Sequence, residues 1–203
     1  MPTQRPTRRA GVLGLLAILA LAASASLSGC AGPADGTATP SNYTAEANPS
    51  GDIPDNQAYV AYGAPSGHFS IKVPEGWAKS THGSATTFND KLNSITVAES
   101  ASAAAPTVAS ARTDLVTALA AGQKNFALKD VAGFQRPAGP GVLITYTADS
   151  SANAVTGAAV HDAGEQYVFW KNGRLVTVTL TSPVGADNVD PWKAVTESFT
   201  WLS

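Results

Sequence analysis

A single cysteine, Cys30, stands in 203 residues. No disulfide can close within such a chain, and no thiolate-rich metal site can form. Histidine is almost as scarce. The three residues His68, His82 and His161 include no pair at HxH or HxxxH spacing, so a metal site would need distant groups to converge. Charge is thin as well: 13 Lys+Arg against 15 Asp+Glu, a net charge of −2. That balance excludes a basic nucleic-acid binder. No G-x-x-x-x-G-K-[ST], no G-x-G-x-x-G and no G-x-S-x-G is present, so nucleotide cradles and the esterase nucleophile elbow lose support. No cofactor is expected. What the chain does have is 44% hydrophobic residues, enough for one core. Its length suits one domain with some to spare.

The spare length lies at the N-terminus. Arg5, Arg8 and Arg9 form a positive head, and Gly11 to Ala23 is uncharged and almost wholly apolar. That run fits a signal-peptide core and falls short of the roughly 20 residues that span a bilayer. Small residues follow, then Leu27-Ser28-Gly29-Cys30. This tetrapeptide resembles the lipobox of bacterial lipoproteins: an aliphatic residue, two small ones, then cysteine. The resemblance implies cleavage before Cys30 and a diacylglycerol on its sulfur, with palmitate among the acyl groups to be expected. Two acyl chains give the double signal that stable anchoring needs. Arg8-Arg9 leaves the export route open, because Ala10 and Gly11 interrupt the hydrophobic pair that follows a twin-arginine signal. Removing the first 29 of 203 residues leaves 174. It takes away three arginines and no acid, moving the net charge from −2 to −5. Such a chain is not drawn to anionic headgroups by its charge, so the acyl chains must hold it.

Three regions are therefore expected: a signal peptide over 1–29, a lipidated Cys30 with a flexible tether over 30–57, and one domain over 58–203. The tether, rich in Pro, Gly, Ser, Thr, Ala and Asn, shows no period of 2 or 3.6. Beyond it the pattern changes. Phe69, Ile71 and Val73 alternate with polar residues, and Pro74-Glu75-Gly76 turns the chain into Trp77. Strands are expected at Thr86–Phe88 and Ser94–Glu99, with a polar turn between Asn89 and Asn93. A helix is expected over Pro106–Gly122, with Val108, Ala111, Leu115, Ala118 and Leu119 on one stripe and Gly122 closing it. Further strands are read near Leu128–Gln135 and at Gly141–Thr147.

The sharpest local signal is Asn172-Gly173 between strand-forming runs, a type I′ hairpin in which both central residues take positive φ. It sets Lys171 opposite Arg174, Trp170 opposite Leu175, Phe169 opposite Val176 and Tyr167 opposite Val178. Both faces of this hairpin are largely apolar, so both should be covered, which argues for helices on two sides of an antiparallel sheet. The last helix is expected to start at Asp190 as N-cap with Pro191 behind it, and to run to about Trp201.

FSIKVPEGW at Phe69–Trp77, the hairpin, and GADNVDPW at Gly185–Trp192 resemble actinobacterial lipoproteins of the LpqN type. These are related in fold to PsbP and to a Ran-binding import factor. The resemblance implies an α+β fold: an antiparallel sheet flanked by helices, a PsbP-like α/β/α sandwich. It carries no catalytic residues over. It favours a non-catalytic binding or assembly module for a protein partner or an apolar ligand, held at the extracytoplasmic face of the cell membrane.

Candidate chemistry is sparse. Trp77 and Trp170 are the candidate ligand contacts, set against ordinary core packing for Trp77, Trp170, Trp192 and Trp201. Asp187, Asn188 and Asp190 resemble part of a calcium loop but lack its full pattern, and helix capping accounts for them. His161-Asp162 with one of many serines is the basis of the rival reading, a small envelope hydrolase or transferase. No metal ligand set is expected.

Overall fold

The computed structural model describes residues 49–151 and 157–203. Cys30, the expected signal peptide over 1–29 and most of the expected tether lie outside the described residues.

Alternating sequence makes most of this domain strand. In chain order the strands are β1 (Tyr59–Gly63), β2 (Phe69–Pro74), β3 (Ala78–His82), β4 (Ala85–Asp90), β5 (Asn93–Ala101), β6 (Lys124–Arg136), β7 (Gly139–Asp149), β8 (His161–Lys171), β9 (Arg174–Pro183) and β10 (Thr200–Trp201). They form two sheets, a small one in the order β1-β2-β10 and a large one in the order β3-β4-β5-β9-β8-β7-β6. Every pairing is antiparallel. Among the described residues the fold is α+β, with an antiparallel sheet and few helices.

The β8–β9 hairpin has the expected register, from Lys171 opposite Arg174 to Tyr167 opposite Val178. Asn172 and Gly173 both take positive φ, 49° and 81°. Both hairpin faces are covered, but by different means. Tyr167, Phe169, Val176, Val178 and Leu180 face the main core, against Phe69, Ile71 and Val73 of β2 and Trp192, Val195 and Phe199 near the C-terminus. Four rings cross this core in sequence: Phe134 to Phe169 at 5.1 Å, Phe169 to Phe199 at 4.2 Å, and Phe199 to Phe69 at 5.4 Å. They tie the large sheet to the small one. So a second sheet, together with a helix, covers the face for which a helix alone was expected.

On the other face Val142, Ile144, Val168 and Leu175 pack under a helical rod with Ala111. The rod, α1, joins Val108–Ser110, a π-helical turn at Ala111–Leu115, and Val116–Ala121. Thr107 caps it, its hydroxyl accepting from the Ser110 N–H. The π turn takes in an extra residue, which shifts the phase of the apolar stripe. Ala118 therefore faces solvent, while Val116 takes the inward place. Gly122 ends α1 with φ −94° and not in a left-handed conformation.

Two boundaries differ from expectation. The last helix, α2, spans Val189–Glu197 with Asn188 at its N-cap position. It stops before Trp201 because Thr200 and Trp201 pair with Ser70 and Phe69 along β2. The last residues of the expected 30–57 tether pack on the domain. Ile53 is buried in the main core, and its N–H donates to Asn188 Oδ1 at 2.8 Å. The Asn188 amide also donates to the Gly51 carbonyl. A lone apolar residue among polar ones gives no period, so sequence pattern could not reveal this contact.

Candidate functional site

The second face of the large sheet changes character along its strands. Under α1 it is aliphatic. Past the end of α1 it becomes polar, and the change follows from strand alternation. On β9, Thr179 and Thr181 alternate with Val178 and Leu180; on β5, Ser94 and Thr96 alternate with Ile95 and Val97. The register sets these hydroxyls in rows. Asn89, Ser94, Thr181, Gly164 and Tyr146 stand opposite one another across five strands, and Thr87, Thr96, Thr179 and Gln166 form the next row. Hydrogen bonds join neighbours within the rows: Ser94 to Thr181 at 2.7 Å, Thr87 to Thr96 at 2.9 Å, and Gln166 Nε2 to Thr179 Oγ1 at 3.1 Å.

These rows floor a groove of about 500 Å³, within the usual range of small-molecule sites. Its walls include Gly122 and Gln123 at the end of α1, Lys91 and Leu92 in the β4–β5 turn, and Ser150, Val160 and Asp162. Gly164 shapes one side. The Tyr146 ring lies so close over it that a methyl group there would overlap the ring. Tyr146 also stacks on Phe126, with centroids 5.3 Å apart, and is almost wholly buried. The ring is thus enclosed and offers the groove no aromatic platform. Burial holds the Tyr146 hydroxyl above the usual phenol range; the Asp162 charge adds to this, and a Gln123 hydrogen bond opposes it.

Two acids, Asp149 and Asp162, mark the end of the groove, and His161 stands beside them. Asp149 stands opposite His161, and Asp162 stands opposite Ala148. His161 Nδ1 lies 2.9 Å from Asp149 Oδ1, while Asn125 also donates to Asp149. Those hydrogen bonds, the His161 one first, lower the Asp149 pKa. Asp162 is treated differently. Its Oδ1 is buried and has no hydrogen-bond partner. Burial, reinforced by the Asp149 charge and opposed by that of His161, pushes its pKa up to about 6. Adjacency in sequence had suggested His161 with Asp162 as a working pair. Alternation along β8 instead gives the imidazole to Asp149. The nearby Ser150 hydroxyl accepts from the Val160 N–H. Among the described residues no serine hydroxyl is bonded to His161, and no group of three His, Cys, Asp or Glu is placed to hold a metal ion.

A second polar cluster clamps the two sheets at the hairpin end. Glu99 on β5 accepts from Ser66 at 2.6 Å and meets His68 Nδ1 at 2.7 Å and Arg174 at 3.4 Å. Arg174 can only donate, so the single Nδ1 proton of His68 goes to Glu99 and the guanidinium bonds the carboxylate. Burial pulls the Glu99 pKa upward, but these hydrogen bonds and the two cationic partners outweigh it, leaving it lowered.

The candidate tryptophans lie apart from the groove. Trp170 is half-buried beside α1, and its indole N–H donates to the Ser102 carbonyl at 3.0 Å. Trp77 packs edge-on to Trp192 at the margin of the main core, with centroids 6.4 Å apart. Asp187 and Asn188 hold the 51–53 segment through backbone contacts. Sequence reading missed Asp162 as a lone acid and missed the hydroxyl rows. The alternating Thr177, Thr179 and Thr181 were the available signal.

No family model matches the chain, and no curated protein matches it in sequence. Solved structures do resemble it. A Bacteroides thetaiotaomicron protein is similar at 10% identity and TM-score 0.46 over 70% of this chain, which spans about half, 48%, of that protein. The cyanobacterial PsbP of Synechocystis is similar at 16% identity and TM-score 0.47, over 76% of this chain and 99% of that one. LpqN of Mycobacterium tuberculosis, described as involved in cell envelope biogenesis, is similar at 12% identity and TM-score 0.45, over 77% of this chain and 100% of that one.

Proposed function

We propose that the chain is a lipoprotein whose domain binds a ligand or partner at the extracytoplasmic face of the cell membrane, held there by diacylglycerol on Cys30. The observation that carries this reading is Leu27-Ser28-Gly29-Cys30, placed directly after a charged head and a 13-residue apolar run from Gly11 to Ala23. The only cysteine of the chain stands where lipidation needs it. Among the described residues no helix is long and apolar enough to cross a membrane. The groove, about 500 Å³ and floored by hydroxyl rows, supports binding as the domain's task.

Metabolic labelling with radioactive palmitate tests the anchor. The wild-type chain is expected to carry label and to fractionate with membranes. Cys30→Ala is expected to lose the label and keep its uncut signal peptide. Equal labelling of the two would overturn the reading.

A further inference from the structure

Charge is divided between the two ends of the large sheet. At one end Asp90, Asp149, Asp162 and Asp187 outnumber Lys91 and Lys124. At the hairpin end the sign reverses: Arg136 ends β6, Lys171 ends β8 and Arg174 begins β9. Among the described residues one carboxylate pairs with these cations. It is Glu99, which meets Arg174 through Nη1. Arg136 instead bonds Thr196 and the Tyr167 hydroxyl and lies against the Phe134 and Tyr167 rings. Lys171 forms no ion pair among the described residues, and it stands directly opposite Arg174. Like charges in that position cost stability. The type I′ turn is satisfied by Asn172-Gly173 and asks for no cation beside it. Positive charge is therefore left over at this end.

Beside Lys171 the two sheets part. A cleft of about 380 Å³ opens between Pro137 and Ala138 of the β6–β7 turn, Lys171, and Thr200 and Trp201 of β10, with the buried Phe199 behind them. Its walls can be reached: Pro137, Lys171 and Thr200 are exposed, and Trp201 is partly so. Trp201 stands edge-on to Phe199 with centroids 5.1 Å apart, and Leu202 beyond it is 44% exposed. β10 pairs with β2 alone, which leaves its other edge open to an extended segment.

We propose that this end of the domain docks a short acidic segment of a partner protein. An apolar side chain of that segment enters the cleft against Trp201, while its carboxylates meet Lys171 and the guanidinium donors of Arg174 that Glu99 leaves free. The proposal rests on the reading of the domain as a binding module and names a partner surface apart from the groove. An aromatic anchor flanked by arginine and lysine is the kind of contact that dominates interfaces, and complementary charge fixes the partner and its register. The chain enters the domain at the opposite end, where the Asn93 and Asn188 amides donate to the Gly51 carbonyl. An 11-residue strand such as β8 puts the hairpin end about 35 Å from that entry, free to meet a partner. A lipid surface calls for a broad cationic field, whereas one unpaired lysine beside a cleft fits a single segment.

The test uses the full chain in detergent with three synthetic peptides, EEFEE, EEAEE and KKFKK. EEFEE is expected to give saturable shifts in the amide resonances of Ala138, Lys171, Thr200 and Trp201. EEAEE, without the ring, should bind at least about tenfold more weakly, and KKFKK should give no shifts. Lys171→Glu should weaken EEFEE at least about tenfold. Lys124→Glu makes the same change of charge at the other end of the sheet and should leave binding as it was. Bicelles of phosphatidylglycerol, added in place of peptide, should leave these resonances where phosphatidylcholine bicelles leave them. No shifts from EEFEE, equal binding of EEFEE and either other peptide, or equal weakening by the two variants would overturn the proposal. Shifts produced by phosphatidylglycerol alone would assign the surface to anionic lipid and overturn it as well. None of these outcomes bears on palmitate labelling at Cys30, so failure of the partner surface and failure of the anchor are separable.

Discussion

The two faces of the large sheet meet different demands. One is apolar through its middle and shut beneath the small sheet and α2, with the Glu99 clamp at its hairpin end: Ile95, Val176, Val178 and Leu180 have no exposure at all. The other is apolar only under α1 and polar beyond it, where Thr179, Thr181, Ser94 and Asp162 line an open groove. The same strands build both. Alternation lets β5 and β9 send every second residue to the core while leaving the other set free to vary. Substitutions on the first face therefore report on folding, and those on the polar half of the second test the proposed binding.

Substitutions can break or sharpen this division. The largest effect belongs to the closed face. Phe169→Ala removes a ring that packs against both Phe134 and Phe199 and should lower unfolding free energy by about 3–5 kcal/mol, read from urea midpoints. Gly164→Ala comes next. It forces a methyl group into the Tyr146 ring and should cost about 1–3 kcal/mol. It should also perturb the groove's amide resonances more than those of the main core. Gly173→Val, a β-branched residue at φ 81°, should cost about 1–2 kcal/mol. An unchanged midpoint would contradict the type I′ turn.

The smallest effect has the opposite sign. The folded pKa of Asp162 is raised to about 6 from 3.8, so between those values the native state holds the proton more tightly than the unfolded chain does. Stability from this group is therefore highest below pH 3.8, falls as pH rises through that window, and stays reduced above about pH 6. Asp162→Asn should remove this slope and raise stability at pH 7. After allowance for screening at a partly exposed carboxylate, the gain is about 1 kcal/mol. A groove acid that only supported the fold would show a loss.

What the sequence disclosed follows from how local each cause is. Asn172-Gly173 set the hairpin register because turn chemistry acts within four residues. Phe69, Ile71 and Val73 declared their face by period alone. The phase of α1 escaped because a π turn leaves no compositional mark, and a 3.6-residue stripe carried across it places Ala118 inward and leaves Val116 out. The end of α2 escaped because Thr200 and Trp201 obey β2, some 130 residues earlier. The groove was the least legible part. Its hydroxyls are visible as alternating threonines, but their meeting depends on the register of five strands. Asp162 looked like a partner for His161 until strand geometry gave that role to Asp149.

The central claim is that Cys30, the one cysteine of the chain, carries the lipid that holds the domain at the membrane. Mass spectrometry of the native protein tests it most directly. The account predicts a mature chain that begins at Cys30 with diacylglycerol on its sulfur. A bare thiol on a chain released into the medium would contradict it.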